Sequence, residues 1–162
     1  MSVVWTEVVQ RVKEYLNSQN WNYSIEGKEF QLSFTLDNQL EECNMFISFI
    51  TYRDIACNVH TRTLCPLKVP ADREPGIIEF IARANYGMVN GYFSYQMPES
   101  HSEEGTIEYN SWLYCADATP SLSDVESSVD FPLRIMMNYG DALFNVLKRN
   151  ANPEEEIQRV EG

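Results

Sequence analysis

Three consecutive segments between residues 30 and 60 alternate apolar and polar side chains. The first runs from Phe30 to Leu36, the second and more apolar one from Cys43 to Tyr52, and the third from Ile55 to His60. A repeat of two residues is typical of a strand with one buried face. The turns between these segments are too short to contain a crossover helix, so the pattern predicts an antiparallel sheet and not a doubly wound parallel one.

Amphipathic helices precede, interrupt and follow this sheet. Apolar side chains at helical spacing predict a first helix over residues 3–17 and a second from about residue 72 to 85, which Gly87 would close in a left-handed conformation. A third helix opens at Ser123–Glu126, which has capping-box spacing, and Pro132 should kink or restart it. A short strand is possible at residues 21–25, and the prolines in residues 61–71 indicate a loop.

A second pair of strands, residues 92–97 and 106–115, lies between the last two helices. The order α-β-β-β-α-β-β-α therefore predicts the α+β class: a twisted antiparallel sheet of about five strands packed with three helices. Residues 1–150 should form a single domain, and residues 151–162 an acidic, loosely held tail.

The charge balance narrows the classes of partner. Twelve Lys and Arg residues against 24 Asp and Glu residues give a net charge of −12. Such a surface disfavours binding to nucleic acid or to an anionic membrane. No apolar run reaches the length of a membrane helix, and the first residues do not resemble a signal peptide, so we expect a cytoplasmic protein. The cysteines lack metal-ligand spacing and should be free core thiols: Cys43, Cys57, Cys65 and Cys115.

No pattern of catalytic, cofactor-binding or metal-ligating residues stands out. The chain has two histidines, His60 and His101. Cys57 and His60 are three positions apart on a strand and should face opposite sides of it, so they cannot share one ion. Cys65 has no neighbouring base in the sequence that would activate it. Glycine-rich phosphate loops and the hydrolase elbow motif are missing from the sequence.

Aromatic side chains on the last two strands carry the most informative pattern. If Leu113 faces the core, Trp112 and Tyr114 face away from it, and Tyr92 lies opposite Phe93 and Tyr95. Aromatic residues on both faces of a hairpin indicate that its outer face meets a second surface. We therefore predict a partner or dimer surface formed by Tyr92, Tyr95, Trp112 and Tyr114. The alternative is that the second helix or the acidic loop 98–105 covers this face.

Four segments resemble the YbjN-domain family of bacterial proteins: Phe80–Gly87, Gly91–Phe93, Gly105–Tyr109 and Asn152–Ile157. The resemblance extends over nearly the whole chain through the order of its elements. It implies a fold similar to that of type III secretion chaperones, often found in dimers, and a role as a regulator of sensory transduction or as a chaperone-like protein. The family offers no active site to transfer. The long acidic loop from Pro98 to Glu104 departs from its pattern.

The combined expectation is a non-enzymatic protein-binding module, a chaperone-like or regulatory adaptor of bacterial type. It would act as a homodimer and bind a protein segment through sheet and helix surfaces, including main-chain pairing at a strand edge. The alternative is a small-ligand sensor or an enzyme with a pocket between the sheet and the C-terminal helix. A deep polar pocket containing Cys65 or His60 would favour that alternative.

Overall fold

The computed structural model describes residues 5–53, 56–100, 103–116 and 118–162. In these ranges it contains four α-helices: α1 (Trp5–Ser18), α2 (Glu74–Tyr86), α3 (Leu122–Arg149) and α4 (Pro153–Glu161). Its strands are β1 (Ser24–Glu26), β2 (Glu29–Thr35), β3 (Glu42–Tyr52), β4 (Ala56–Val69), β5 (Tyr92–Gln96) and β6 (Gly105–Cys115). A single 3-10 turn, Ala71–Arg73, leads into α2. The predicted residues 3, 4, Asp54, Ile55 and His101 lie outside the described ranges.

The described strands form one antiparallel sheet in the order β1-β2-β3-β4-β6-β5. The predicted α+β class and the antiparallel pairing are therefore confirmed. The sheet has six strands instead of about five, because the optional short strand forms at Ser24–Glu26. The fourth helix is α4, which the sequence analysis did not include.

The stretch from Thr61 to Val69 is a strand, and its prediction as a loop was wrong. It extends β4 to 14 residues and pairs with β6 as far as Val69. The register shifts between Leu64 and Lys68, on either side of Pro66. Proline has no N–H to donate to a neighbouring strand, and such an irregularity is where a strand can accommodate it.

All four helices pack on one face of the sheet. One core cluster joins α1 and the first turns of α3 to buried side chains of β2, β3 and β4, including Phe30, Met45 and Val59. The other joins α2, α4 and the rest of α3 to β5 and β6, including Phe93 and Tyr109. Helix α3 contributes to both clusters and so spans the sheet.

Two helix boundaries differ in detail from the prediction. Gly87 has φ −96°, which any residue can adopt, so α2 ends without a left-handed residue. The capping box at the start of α3 uses Ser121 and Asp124 instead of Ser123 and Glu126. Pro132 lies inside α3, and the helix continues past it to Arg149.

The C-terminal segment is an ordered helix, and its prediction as a loosely held tail was wrong. The Asn152 side chain accepts hydrogen bonds from the N–H groups of Glu154 and Glu155 and caps α4. Ile157 is buried in the core with α2 and α3. Glu156 is also buried, and it accepts hydrogen bonds from Asn145 and Arg159.

Within the described ranges, no helix combines the length and the apolar character needed to cross a bilayer.

Candidate functional site

In the described part of the chain, no helix covers the face of the sheet opposite α1, α2, α3 and α4. In an antiparallel sheet, directly paired residues lie on the same face, and the faces alternate along each strand. The register therefore assigns one set of side chains to this face, which we call the open face: Phe46, Ser48, Ile50 and Tyr52 of β3, Asn58, His60 and Arg62 of β4, Glu108, Asn110, Trp112 and Tyr114 of β6, and Tyr92 and Ser94 of β5.

Large apolar side chains on the open face are accessible to solvent. Tyr114 is 72% exposed, and Ile50, Tyr52 and Tyr92 are also classed as exposed. A soluble domain usually spreads such residues thinly, so several of them on one sheet face indicate a contact surface.

An aromatic stack crosses from β4 to β6 on this face. The rings of His60 and Trp112 are 3.9 Å apart and almost parallel, at 4°. Trp112 also stacks on Tyr114, at 6.3 Å and 14°. The cause is the register, because His60 and Trp112 are direct cross-strand partners. The stack holds Trp112 in one orientation and leaves Tyr114 at its solvent-facing end.

A polar network lies beside the stack. His60 donates from Nε2 to Asn110 Oδ1 at 2.9 Å, and Asn110 Nδ2 donates to Ser94 Oγ at 2.8 Å. Arg62 forms ion pairs with Glu29 at 3.2 Å and with Glu108 at 3.8 Å. These groups satisfy one another, as polar groups that support an apolar surface must.

Burial shifts the titration of the histidine in the stack. Desolvation lowers the pKa of His60, and the nearby Arg62 lowers it further, while the hydrogen bond to Asn110 and the carboxylates of Glu108 and Glu29 oppose the shift. Removing water disfavours the charged imidazolium. The neutral ring, which stacks on Trp112, is therefore the favoured form in the folded protein.

The structure separates the four residues that were predicted to share one surface. Tyr92, Trp112 and Tyr114 lie on the open face. Tyr95 is paired with Ile107 and faces the helices, where its hydroxyl donates to Glu74 at 2.8 Å. Burial and the Glu74 carboxylate raise the pKa of Tyr95 to about 12. Tyr95 therefore belongs to the helix side and takes no part in a surface on the open face.

Sequence reasoning missed His60 and the β3 residues Ile50 and Tyr52 as members of the same surface. The alternation in β3 and β4 indicated which residues share a face within each strand. It could not indicate that β4 pairs with β6, which is what brings His60 onto Trp112. If the pairing of β4 with β6 had been known, the position of His60 opposite Trp112 would have indicated that the two rings meet.

The cysteines lie on the helix side, away from this surface. Cys57 and Cys115 are cross-strand partners on the inner face, and Cys57 and His60 point to opposite faces of β4, as their spacing indicated. Burial raises the pKa of Cys43 to about 12 and that of Cys65 to about 11. Thiols of this kind are poor nucleophiles at neutral pH. In the described ranges, no three His, Cys, Asp or Glu side chains are grouped so that they could hold a metal ion.

A large groove lies elsewhere, between α3, α4 and residues 87–90. It has a volume of about 1010 Å³, and the Tyr139 hydroxyl donates to Glu161 beside it. Neither Cys65 nor His60 lines it. None of its lining residues belongs to a strand, whereas the pocket of the alternative hypothesis was expected between the sheet and the C-terminal helix.

Comparison with known proteins yields a structural similarity. No protein-family model matches the chain, and no curated protein matches it in sequence. The crystal structure of YbjN from E. coli, a candidate transcription regulator, superposes with a TM-score of 0.54 over 88% of this chain and 90% of that one, at 8% sequence identity. The similarity concerns the fold, and it leads to one conclusion: the chain has a YbjN-like fold.

Proposed function

We propose that this chain is a non-enzymatic protein-binding module, a regulatory or chaperone-like adaptor, whose binding surface is the open face of its sheet. One observation carries the proposal: a complete sheet face has no covering helix in the described chain and presents Ile50, Tyr52, Tyr92 and Tyr114 to solvent. A flat face of this kind, on which exposed aromatic and aliphatic side chains lie among paired polar groups, fits a protein surface better than it fits a small molecule, which prefers a concave site.

The chemistry of the face supports binding over catalysis. Its titratable groups are engaged with one another: His60 with Asn110, and Arg62 with Glu29 and Glu108. A nucleophile and a free base directed at a common point would be expected of an active site. The fold shared with a candidate regulator agrees with this reading. The cytoplasmic setting remains part of the same proposal.

The partners we propose are a second copy of the chain and a protein segment of unknown identity. The large acidic excess opposes self-association, so the centre of any contact must be apolar. The stack of His60, Trp112 and Tyr114 supplies such a centre, and its polar neighbours form a rim.

The test compares capture of partners from a lysate of the native host by matched variants. Ile50→Glu places a charge on the open face, and Ile78→Glu places one on α2, where the side chain is about equally exposed, at 47% against 44%. Both variants must first unfold at the same denaturant concentration as the wild type. We expect Ile50→Glu to lose specific partners that Ile78→Glu retains. Equal retention by both variants would contradict the assignment of the face.

A further inference from the structure

Strand β6 is longer than the strand beside it, and this leaves part of its edge unpaired. Strand β5 covers β6 from Thr106 to Asn110. Beyond that, Ser111–Cys115 pairs with β4 on one side, and none of the described strands pairs with it on the other. We call this five-residue segment the β6 overhang. The chain departs from the line of strand β5 at Gly91. This glycine lies so close to Asn110 that any side chain at position 91 would meet the Asn110 carbonyl oxygen.

The side chain of Asn85 shows which backbone groups of the overhang are free. Asn85 hydrogen-bonds to both the N–H and the C=O of Phe93, so these groups point away from β6, and the edge of β5 is capped at Phe93. Phe93 is paired with Tyr109. Backbone groups alternate in direction along an antiparallel strand, so those of Tyr109, Ser111, Leu113 and Cys115 point to β4.

It follows that the N–H and C=O groups of Trp112 and Tyr114 point to the open edge. Within the described residues, no hydrogen bond reaches these four groups from another segment. Native proteins usually pair or obstruct such groups, as Asn85 does on β5, because an unpaired edge is a template for another strand.

Open space lies along the overhang. A groove of about 490 Å³ is lined by Ser111–Tyr114, by residues 89–92, and by Asp124, Ser127 and Ser128 of α3. A second groove, of about 350 Å³, continues it past Cys115 to Pro120. A strand added beside the overhang would therefore have room for the side chains that point toward α3.

We infer that the occupant of this edge is the β6 overhang of a second copy, paired antiparallel about a two-fold axis at Leu113. This inference rests on the homodimer in the proposed function and specifies its geometry. The two free residues flank Leu113 symmetrically, so Trp112 of one copy pairs with Tyr114 of the other, and each pair exchanges two N–H···O=C bonds. The free donors and acceptors of one copy match those of the other in number and spacing, as an isologous contact requires.

The side chains also match across this axis. On the open face, Trp112 of each copy lies opposite Tyr114 of the other, and aromatic cross-strand pairs stabilise a sheet. On the helix side, Leu113, which is half-buried in one chain, meets its own copy. Asp124 lies near the axis in both copies and brings like charges together, so the contact should be stronger with added salt. The open faces of the two copies then form one continuous surface.

The deciding variant is Tyr114→Pro, with Tyr114→Ala as its matched control. Both remove the ring, but only proline removes the N–H. Because that N–H points to the open edge, its loss breaks no bond within the chain, and Tyr114→Pro should fold. Each dimer loses two intermolecular hydrogen bonds, so we expect its dissociation constant to rise about tenfold or more above that of Tyr114→Ala, by sedimentation equilibrium.

Amide hydrogen exchange supplies a readout that does not depend on a variant. In the wild type, the amides of Trp112 and Tyr114 should become protected as protein concentration rises, while that of Leu113 is protected at every concentration because it bonds to β4. A dimer whose dissociation constant is equal in the proline and alanine variants would overturn the edge geometry and leave the homodimer intact. A wild type that stays monomeric at high concentration would overturn both. The loss of host partners by the Ile50→Glu variant tests the open face separately. Neither of the two outcomes for the dimer alters that result.

Discussion

At the residue scale, position on one or the other face of the sheet decides what a side chain can do. His60 and Cys57 are three residues apart on β4, yet His60 belongs to an accessible aromatic stack and Cys57 to the core. Tyr92 and Tyr95 on β5 differ in the same way. Residue type alone does not predict on which face of the sheet any of these side chains lies, because each type occurs both in cores and at interfaces.

We predict four free thiols that react slowly in the folded protein. Cys43, Cys57, Cys65 and Cys115 are free and buried, and burial raises the pKa of each. A thiol reagent should modify them at a rate limited by opening of the native state, and all four at once after unfolding without reductant. Fewer than four titrated thiols would indicate a bridge. The cross-strand pair Cys57 and Cys115 is the first candidate for it.

A second residue-scale prediction concerns pH. The pKa of His60 is lower in the folded protein than its usual 6.5, so the unfolded chain binds more protons between those two values. Protonation of His60 should therefore not lower the free energy of unfolding above pH 6.5. Below that pH the free energy of unfolding should decrease as the pH falls toward the folded pKa. Urea unfolding at a series of pH values checks this. His60→Gln should flatten the dependence in that window, and an unchanged slope would show that other groups cause it.

At the scale of the element, the local sequence pattern predicted those helices and strands that depend mainly on local interactions. Helix α1 and strands β2 and β3 have clear apolar repeats, and their buried residues are those the repeats indicated, such as Val8, Val12, Met45 and Ile47. Strand β4 was cut short in the prediction because Pro66 usually marks a loop. Pairing with β6 maintains the strand on both sides of the irregularity, at Leu64 and again at Lys68 and Val69. That support is non-local and leaves no mark in the sequence.

Helix α4 is an element that its own sequence does not predict. Three consecutive glutamates follow Pro153 in its first turn, and a nine-residue helix is too short to be stable alone. It forms because Asn152 caps it, because the glutamates lie where the helix dipole favours negative charge, and because Ile157 enters the core. The signals were a proline after an asparagine and one apolar residue, which are weak without knowledge of the core.

We therefore predict that α4 contributes to global stability. Ile157→Ala should lower the free energy of unfolding by about 2 kcal/mol or more, as large-to-small core changes do. Asn152→Ala should cost about 1 kcal/mol through loss of the cap. Gln158→Ala, at an exposed and uncharged position of the same helix, is the control and should change little. Urea denaturation gives all three values. A loss below about 0.5 kcal/mol for Ile157→Ala would instead support the prediction of a loosely held C-terminal tail.

At the scale of the whole molecule, the distribution of the helices explains the open face. Helices α1 and α3 pack on one face of the sheet, and the sequence pattern left open that the second helix covers the other. In the structure α2 and α4 join them on the same face, with α4 packed against α2 and α3. Nothing in the sequence pattern distinguishes these arrangements, since an amphipathic helix satisfies its apolar stripe on either face of a sheet. The result is a domain with its core on one side of the sheet and exposed aromatic side chains among polar groups on the other.

The last prediction concerns how the net charge acts on association. Each copy carries −12, so two copies repel at low ionic strength, and screening should make the dimer tighter as salt is added. Sedimentation equilibrium at low and moderate salt measures this change. The variant Glu103→Gln/Glu104→Gln, at two exposed loop positions, reduces the charge from −12 to −10 and should weaken the salt dependence without altering the contact. A dimer that loosens with salt would instead require attractive ion pairs across the interface, and that result would contradict an apolar contact between two acidic copies.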